Sequence, residues 1–417
     1  MSSSEIFVIV GAGLAGAKAA QTLREEDFEG RIVLFGDEAV RPYERPPLSK
    51  GYLRGETGFD GAAVHDADFY RSRDIELHTS SAVTKVDANA SKIFLHTGEE
   101  VSYDKLLLAT GARPRRLPTP GSELAGVHYL RRVDDADAIR DAISPSSPLV
   151  VVGSGWIGAE VAASARHLGA EVAMVAPGSV PLERVLGKEV GGIFRDLHAE
   201  HGVDLHLGVG VESLYGTDHV EGVRLTDGAD LPASTVVVGV GVEPQTDLAE
   251  GAGLDLDNGV VTDQYLATSV PGIYAAGDVA NVFYEAYGSR IRLEHWSAAL
   301  YQGPVAAKNM LGHQVTYDRV PYFFSYQYEL GMEYRGWAPE YDKVVFRGDR
   351  DGREFIAFWL RNNRVVAAMN TNIWGQGDAI EAIIRAQQPI DPARLIDLDI
   401  DLAVLASPSS ATPVVAE

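Results

Sequence analysis

The stretch Glu5-Ile6-Phe7-Val8-Ile9-Val10-Gly11-Ala12-Gly13-Leu14-Ala15-Gly16 decides the fold class of this chain. β-Branched and aromatic residues run from Ile6 to Val10, as a strand buried on both faces requires. The run ends in glycines spaced G-x-G-x-x-G, and Ala17 to Arg24 then reads as a helix with Ala and Leu inside. This order has a chemical use. The turn is tight, missing Cβ atoms let backbone N–H groups approach a pyrophosphate, and the helix N-terminus adds partial positive charge.

The device occurs again at Ser147-Pro148-Leu149-Val150-Val151-Val152-Gly153-Ser154-Gly155-Trp156-Ile157-Gly158-Ala159-Glu160. Two dinucleotide sites are therefore expected. In the first unit a second strand, Arg31 to Phe35, leads into Gly36-Asp37-Glu38, where an acid suits a ribose hydroxyl pair. Gly36 stands where the carboxylate is usual, so the role falls to Asp37. In the second unit Glu171 to Val175 is the matching strand, followed by Ala176-Pro177-Gly178. Asp230 to Gly241 reads as one further buried strand that closes the unit.

The 417 residues are too many for one core and predict two or three domains. Hydrophobic content of 46% and charged content of 23% are those of a globular protein. No apolar run reaches the roughly 18 residues that span a bilayer. Met1-Ser2-Ser3-Ser4-Glu5 carries no basic n-region, so no secretory signal is expected and the cytoplasm is the expected compartment. A net charge of −23 argues against a nucleic-acid partner, whose phosphates demand cations. The chain has no cysteine, so it can build neither a thiol relay nor an Fe–S cluster of its own.

Between and beyond the glycine turns, Arg41 to Lys50 is a proline-stiffened loop, and Arg113 to Pro120 reads as a basic linker. Strands are expected at Glu76–His78, Ala82–Val83 and Lys92–His96. Tyr103 to Pro114 runs an apolar strand into Ala109-Thr110-Gly111, and Gly272 to Ala280 does the same before Gly277-Asp278. A helix is expected from Ser297 to Leu311. From Pro321 the texture alternates aromatic and polar with short turns, which predicts an antiparallel sheet, followed by a helix from Gly377 to Ala386. Ser407 to Glu417 is expected to be a disordered tail. The fold class is thus α/β: two Rossmann-like dinucleotide-binding domains, residues 1–114 with 245–320 and residues 115–244, plus a C-terminal α+β domain, residues 321–406.

With these motifs in this order, the chain resembles the two-dinucleotide-fold, glutathione-reductase-like flavoproteins. Arg45-Pro46-Pro47-Leu48-Ser49-Lys50, Glu294-His295-Trp296-Ser297 and Pro321-Tyr322-Phe323-Phe324-Ser325 narrow the resemblance. They are similar to the ferredoxin reductases of bacterial oxygenase systems, of the putidaredoxin reductase and biphenyl dioxygenase type, related to apoptosis-inducing factor. The resemblance implies FAD as cofactor, NADH or NADPH as co-substrate and a [2Fe–2S] ferredoxin as partner.

On that resemblance Gly11, Gly13 and Gly16 face the FAD pyrophosphate and Asp37 the adenosine ribose. Arg45 and Lys50 lie along the flavin, Asp278 meets the ribityl chain, and the helix starting at Trp296 points at the flavin N1/C2=O edge. Gly153, Gly155 and Gly158 hold the nicotinamide dinucleotide, with Glu160 and Glu294 near the nicotinamide. Val83, Ala109, Thr110, Gly111, Arg131, Gly277 and Gly241 complete the implied cofactor contacts. Lys50 and Glu160 are the implied catalytic pair, since a buried lysine needs a carboxylate partner.

The chain departs from the family at three places. Ala176 stands where an NADH enzyme usually carries an acid, and the nearest arginine is Arg184, so the choice between NADH and NADPH stays open. Tyr322 and Phe324 replace tryptophans, and Tyr326 replaces an aspartate. Without cysteines, electrons must leave directly from the flavin, to a ferredoxin, to a quinone or dye, or to oxygen; slow turnover would instead mark a redox-dependent binding protein. A cationic docking patch for an acidic ferredoxin is expected at Arg45, Arg54, Arg290 and Arg292. Oligomeric state is not legible.

Overall fold

The computed structural model describes residues 5–406; the expected tail at 407–417 lies outside them. Five strands form a parallel sheet in the order Ile273–Ala275, Lys105–Leu108, Ile6–Val10, Arg31–Phe35 and Ile75–His78. A second parallel sheet repeats the order with Val127–Tyr129, Thr235–Val238, Pro148–Val152, Glu171–Ala176 and Asp204–Leu207. Burial on both faces explains why Val8, Ile9, Val150 and Val151 are all fully covered, with no polar alternation in either run.

The repeat extends further than the glycine turns. Each parallel sheet is accompanied by a three-stranded antiparallel meander, Val83–Asp87, Lys92–Leu95 and Glu100–Ser102 in the first unit, and Val211–Tyr215, Gly222–Leu225 and Asp230–Pro232 in the second. Asp230 to Gly241 is consequently not one strand. Asp230–Pro232 belongs to the meander and Thr235–Val238 to the parallel sheet, because Pro232 has no N–H to continue a ladder.

The stretch from Arg113 is not wholly a linker either. Ala112–Pro114 pairs antiparallel with Val242–Pro244, Arg113 opposite Glu243, with their side chains 2.8 Å apart. The outgoing and returning crossings between the two parallel units are thus laced together.

The last sheet is five-stranded and antiparallel, in the order Tyr322–Gln327, Leu330–Gly336, Arg364–Thr371, Glu354–Arg361 and Lys343–Asp349. Period-two alternation gives it two apolar faces. Phe355, Ala357 and Trp359 point to one face, where Leu186, Val190, Phe194 and Leu197 of the helix Glu183–Glu200 pack. Ile356, Phe358 and Leu360 point to the other and meet Ile380, Ile383 and Ile384 of the helix Gly377–Ala386. The helix Glu183–Glu200 therefore joins the second parallel unit to the C-terminal sheet. Near the first turn, the helices Leu14–Glu25 and Trp296–Met310 approach closely at Gly303, where a Cβ would meet Ala15 O at 2.2 Å.

Candidate active site

The two glycine turns have the same internal geometry. Gly11 has φ +114° and a Cβ there would meet Ala109 O at 2.1 Å; Gly153 has φ +106° and would meet Gly239 O at 2.4 Å. Gly16 and Gly158 each lie where a Cβ would strike the carbonyl of Gly11 or Gly153 at 2.1 Å, so they serve helix–strand packing. The middle glycines differ. Around Gly13 and Gly155 a Cβ would meet nothing within 4 Å. No neighbouring residue requires glycine there, and a bound phosphate close to the backbone would.

A cleft of about 690 Å³ opens over the first turn. Its walls gather Gly11, Gly13, Asp37, Arg45, Lys50, Ala109, Thr110, Gly111, Arg131, Glu160, Gly277, Asp278, Glu294 and Trp296 from the expected site. Gly16, Val83, Gly153, Gly155, Gly158, Ala176 and Gly241 do not line it. Val83 begins the first meander, and Ala176 is buried at the end of its strand.

At the cleft wall Lys50 and Glu160 form an ion pair, Nζ to Oε2 2.6 Å, with side chains 14% and 5% exposed. Ser49 donates to the same carboxylate oxygen, and Ser325 donates to the other, Oε1, at 2.7 Å. The loop is pinned to the helix Trp156–His167 a second time by Ser164, which donates to Ser49 O at 2.7 Å. Proline at 46 and 47 shapes the turn that delivers Ser49 and Lys50 to this helix.

Further along, Arg131 meets Asp278 at 2.8 Å, and Arg132 meets Asp37. Burial and the neighbouring Arg45 push the Arg131 guanidinium down from its ordinary value. Arg45 itself donates to Arg131 O and pairs with Glu38 at 3.2 Å, beside Tyr43, whose phenol burial holds well above its ordinary value. Two buried polar atoms at the cleft, Arg131 Nε and His295 Nδ1, have no partner among the described residues, while the Trp296 side chain faces the Glu44 carboxylate. Burial lowers the His295 imidazole to about 4, so it is neutral at physiological pH.

The rim is aromatic, and the sequence reading did not foresee how far it extends. Trp296 and Phe324 lie 5.8 Å apart, Phe324 and Tyr326 5.9 Å, and Tyr326 and Trp374 6.2 Å. Trp374 and Tyr326 are each 50% exposed. The signal was the period-two spacing of 322, 324 and 326; Trp374 came to them through the fold.

The expected cationic patch is reduced to Arg290, which is exposed and donates to a carbonyl, while the other three arginines pair with glutamates. Arg45 is committed to Glu38, Arg54 to Glu56 at 2.7 Å, Arg290 to Thr262 O and Arg292 to Glu294 at 2.6 Å. The Arg292 side chain is only 8% exposed, so it cannot meet a partner. A carboxylate missed in the sequence lies in the loop after Ala176: Glu183 folds back and accepts from Ser179 N at 2.6 Å and Ser179 Oγ at 3.0 Å. The backbone N–H of Ser179 holds this carboxyl below its ordinary value. Among the described residues no cluster of acids and histidines could hold a metal ion, and no helix is long and apolar enough to cross a membrane.

Residues 6–303 match the pyridine nucleotide-disulphide oxidoreductase family, and residues 322–406 match the reductase C-terminal family. Rhodocoxin reductase from Rhodococcus erythropolis is 38% identical over 397 residues, covering 95% of this chain and 93% of that one. Putidaredoxin reductase from Pseudomonas putida is 35% identical, covering 96% and 97%. The reductase in a solved covalent putidaredoxin reductase–putidaredoxin complex superposes with a TM-score of 0.92 at 35% identity, over 97% of this chain and 98% of that one. Paired glycine turns, the C-terminal sheet and these matches agree: the chain belongs to the pyridine nucleotide-disulphide oxidoreductase family.

Proposed function

We propose that this protein is an FAD-dependent NAD(P)H:ferredoxin reductase of an oxygenase system, working in the cytoplasm with a [2Fe–2S] ferredoxin as electron acceptor. The observation that carries the reading is the buried Lys50–Glu160 pair at the wall of the cleft, in a chain with no cysteine to relay electrons. The residues fit FAD. Gly13 leaves a cradle that a Cβ would fill, and Arg131 Nε and His295 Nδ1 are buried polar atoms without partners among the described residues. When bound, FAD supplies the conversion of a hydride from the nicotinamide into single electrons for the ferredoxin.

In this reading Gly11, Gly13 and Gly16 form the turn for the FAD pyrophosphate, Asp37 takes the adenosine ribose, and Asp278, held by Arg131, takes the ribityl chain. Ala109 to Gly111, Gly277 and Arg45 line the bed. Gly153, Gly155, Gly158 and Gly241 serve the nicotinamide dinucleotide, with Ala176 at its adenosine end and Glu294 near its nicotinamide. The N-terminus of the helix Trp296–Met310 supplies positive potential to the flavin N1/C2=O edge. Lys50 is held in place by Glu160 and largely shielded from water. The division into domains follows the same logic: residues 1–114 with 245–320 for FAD, 115–244 for NAD(P)H and 321–406 C-terminal.

Steady-state reduction of a [2Fe–2S] ferredoxin from the same genome, compared with a quinone, tests the reading. Faster ferredoxin turnover is expected. A strong preference for quinone makes the protein a diaphorase, and slow turnover with both makes it a redox-dependent binding protein.

A further inference from the structure

Glu160 is reached from the opposite side by a buried line of polar groups that the ion pair does not need. Ser325 and Gln327 occupy the inward face of the strand Tyr322–Gln327, each 1% exposed, and His198 of the helix Glu183–Glu200 is fully buried. Their neighbours Phe194, Leu197, Phe323, Leu330 and Met332 are apolar. Polar groups in such surroundings are costly unless every donor finds an acceptor. Here the contacts are continuous: Ser325 Oγ to Glu160 Oε1 2.7 Å, Gln327 Nε2 to Ser325 Oγ 3.2 Å, His198 Nε2 to Gln327 Oε1 3.0 Å, and Tyr328 Oη to His198 Nδ1 3.2 Å.

The direction of every bond follows from one end. An ionised carboxylate only accepts, so the Ser325 hydroxyl donates to Glu160. Having spent its proton, Ser325 Oγ accepts from Gln327, which turns the amide oxygen toward His198. His198 must then carry its proton on Nε2, leaving Nδ1 bare to accept from Tyr328. All the dipoles point the same way, and such chains strengthen cooperatively in a low-dielectric interior.

We propose that Ser325, Gln327 and His198 are positioning residues: a one-directional hydrogen-bond chain that runs from Tyr328 to Glu160 and keeps the Glu160 carboxylate oriented toward Lys50. The proposal rests on the reading of Lys50 and Glu160 as the pair beside the reacting nicotinamide and flavin. The neutral imidazole it requires agrees with burial lowering His198 to about 4. The groups facing the chain from other elements are His201, which stacks on Tyr328 at 3.7 Å, Glu329, which pairs with His201 at 3.1 Å, and Arg166, which acts electrostatically on Tyr328. All three stand at its outer end. At the inner end Glu160 faces Lys50 and Ser49.

Two measurements on the full-length holoprotein test this. In long-range proton–nitrogen NMR with labelled histidine, His198 is expected as the Nε2–H tautomer, unchanged from neutral pH down to pH 5. A Nδ1–H tautomer or an imidazolium at neutral pH overturns the proposal. In single-turnover reduction by NADH across pH, Ser325→Ala is expected to move the acid limb of the profile up by about one unit, and Ser325→Thr, which keeps the hydroxyl, to restore it. An unmoved limb in Ser325→Ala also overturns it. Lys50→Met run alongside separates the two claims: wild-type reduction in that variant defeats the reading of the pair, whereas slowed reduction with an unmoved Ser325→Ala limb defeats the chain alone.

Discussion

Lys50 Nζ and Glu160 Oε2 meet at 2.6 Å, joining a proline-stiffened loop of the first parallel unit to the helix that follows the glycine turn of the second. The pair is buried, so attraction between its members is little screened, and neither tolerates loss of the other.

Lys50→Met is therefore expected to leave a buried carboxylate without its cation, at a cost of about 3–5 kcal/mol in stability. Stopped-flow reduction by NADH should slow by about one to three decades, each about 1.4 kcal/mol of barrier. Rate and melting temperature are both measured, and a wild-type rate removes the pair from the reaction.

Coenzyme choice depends on the loop after Glu171–Ala176. With Ala176 buried and Glu183 turned back onto Ser179, no carboxylate ends the strand itself. Ala176→Glu is expected to raise the NADH/NADPH ratio of kcat/KM severalfold, because a carboxylate there repels a 2′-phosphate. An unchanged ratio places the ribose elsewhere.

Ferredoxin docking on the aromatic rim, rather than on a cationic face, is the expected outcome. Trp374→Ala is expected to raise the apparent KM for ferredoxin severalfold while leaving ferricyanide reduction by NADH intact. With Arg54 and Arg292 paired with Glu56 and Glu294, and Arg290 alone among the expected four exposed without a glutamate, salt should weaken docking of an acidic ferredoxin only slightly on a chain of net charge −23. A KM that climbs steeply with salt identifies a cationic face elsewhere.

Acid stability follows from the buried histidines. Burial holds His198 and His295 at about 4, below their ordinary 6.5. Between those values the unfolded chain binds protons that the folded one refuses, so stability is present above pH 6.5 and is lost as pH falls toward 4. Scanning calorimetry should show the melting temperature dropping most steeply in that window, and His198→Gln should flatten the drop.

Much was legible without the fold. Ile6–Val10 and Pro148–Val152 are apolar throughout because parallel strands are covered on both faces, and Gly11, Gly16, Gly153 and Gly158 stand where backbone comes too close for a Cβ. These constraints are local, so they are written into consecutive residues. The alternation from Tyr322 onward was local in the same sense, and so was the proline loop before Lys50. The helix Glu183–Glu200 was less so: Gly187, at φ +77°, kinks it into two pieces, Gly191 and Gly192 weaken its signal, and packing on the C-terminal sheet supplies what propensity does not.

Sequence alone thus determined the two glycine turns, the α/β class and the absence of any thiol relay, since each depends on residue type and near-neighbour spacing. Only the tertiary structure decided the pairings. Arg54 and Arg292 look free on their loops until Glu56 and Glu294, two residues away on each, close onto them. Trp374 reaches the rim, and His198, Gln327 and Ser325 reach Glu160, across up to 165 positions of chain, because one helix and one strand pack face to face around a carboxylate that cannot be left bare.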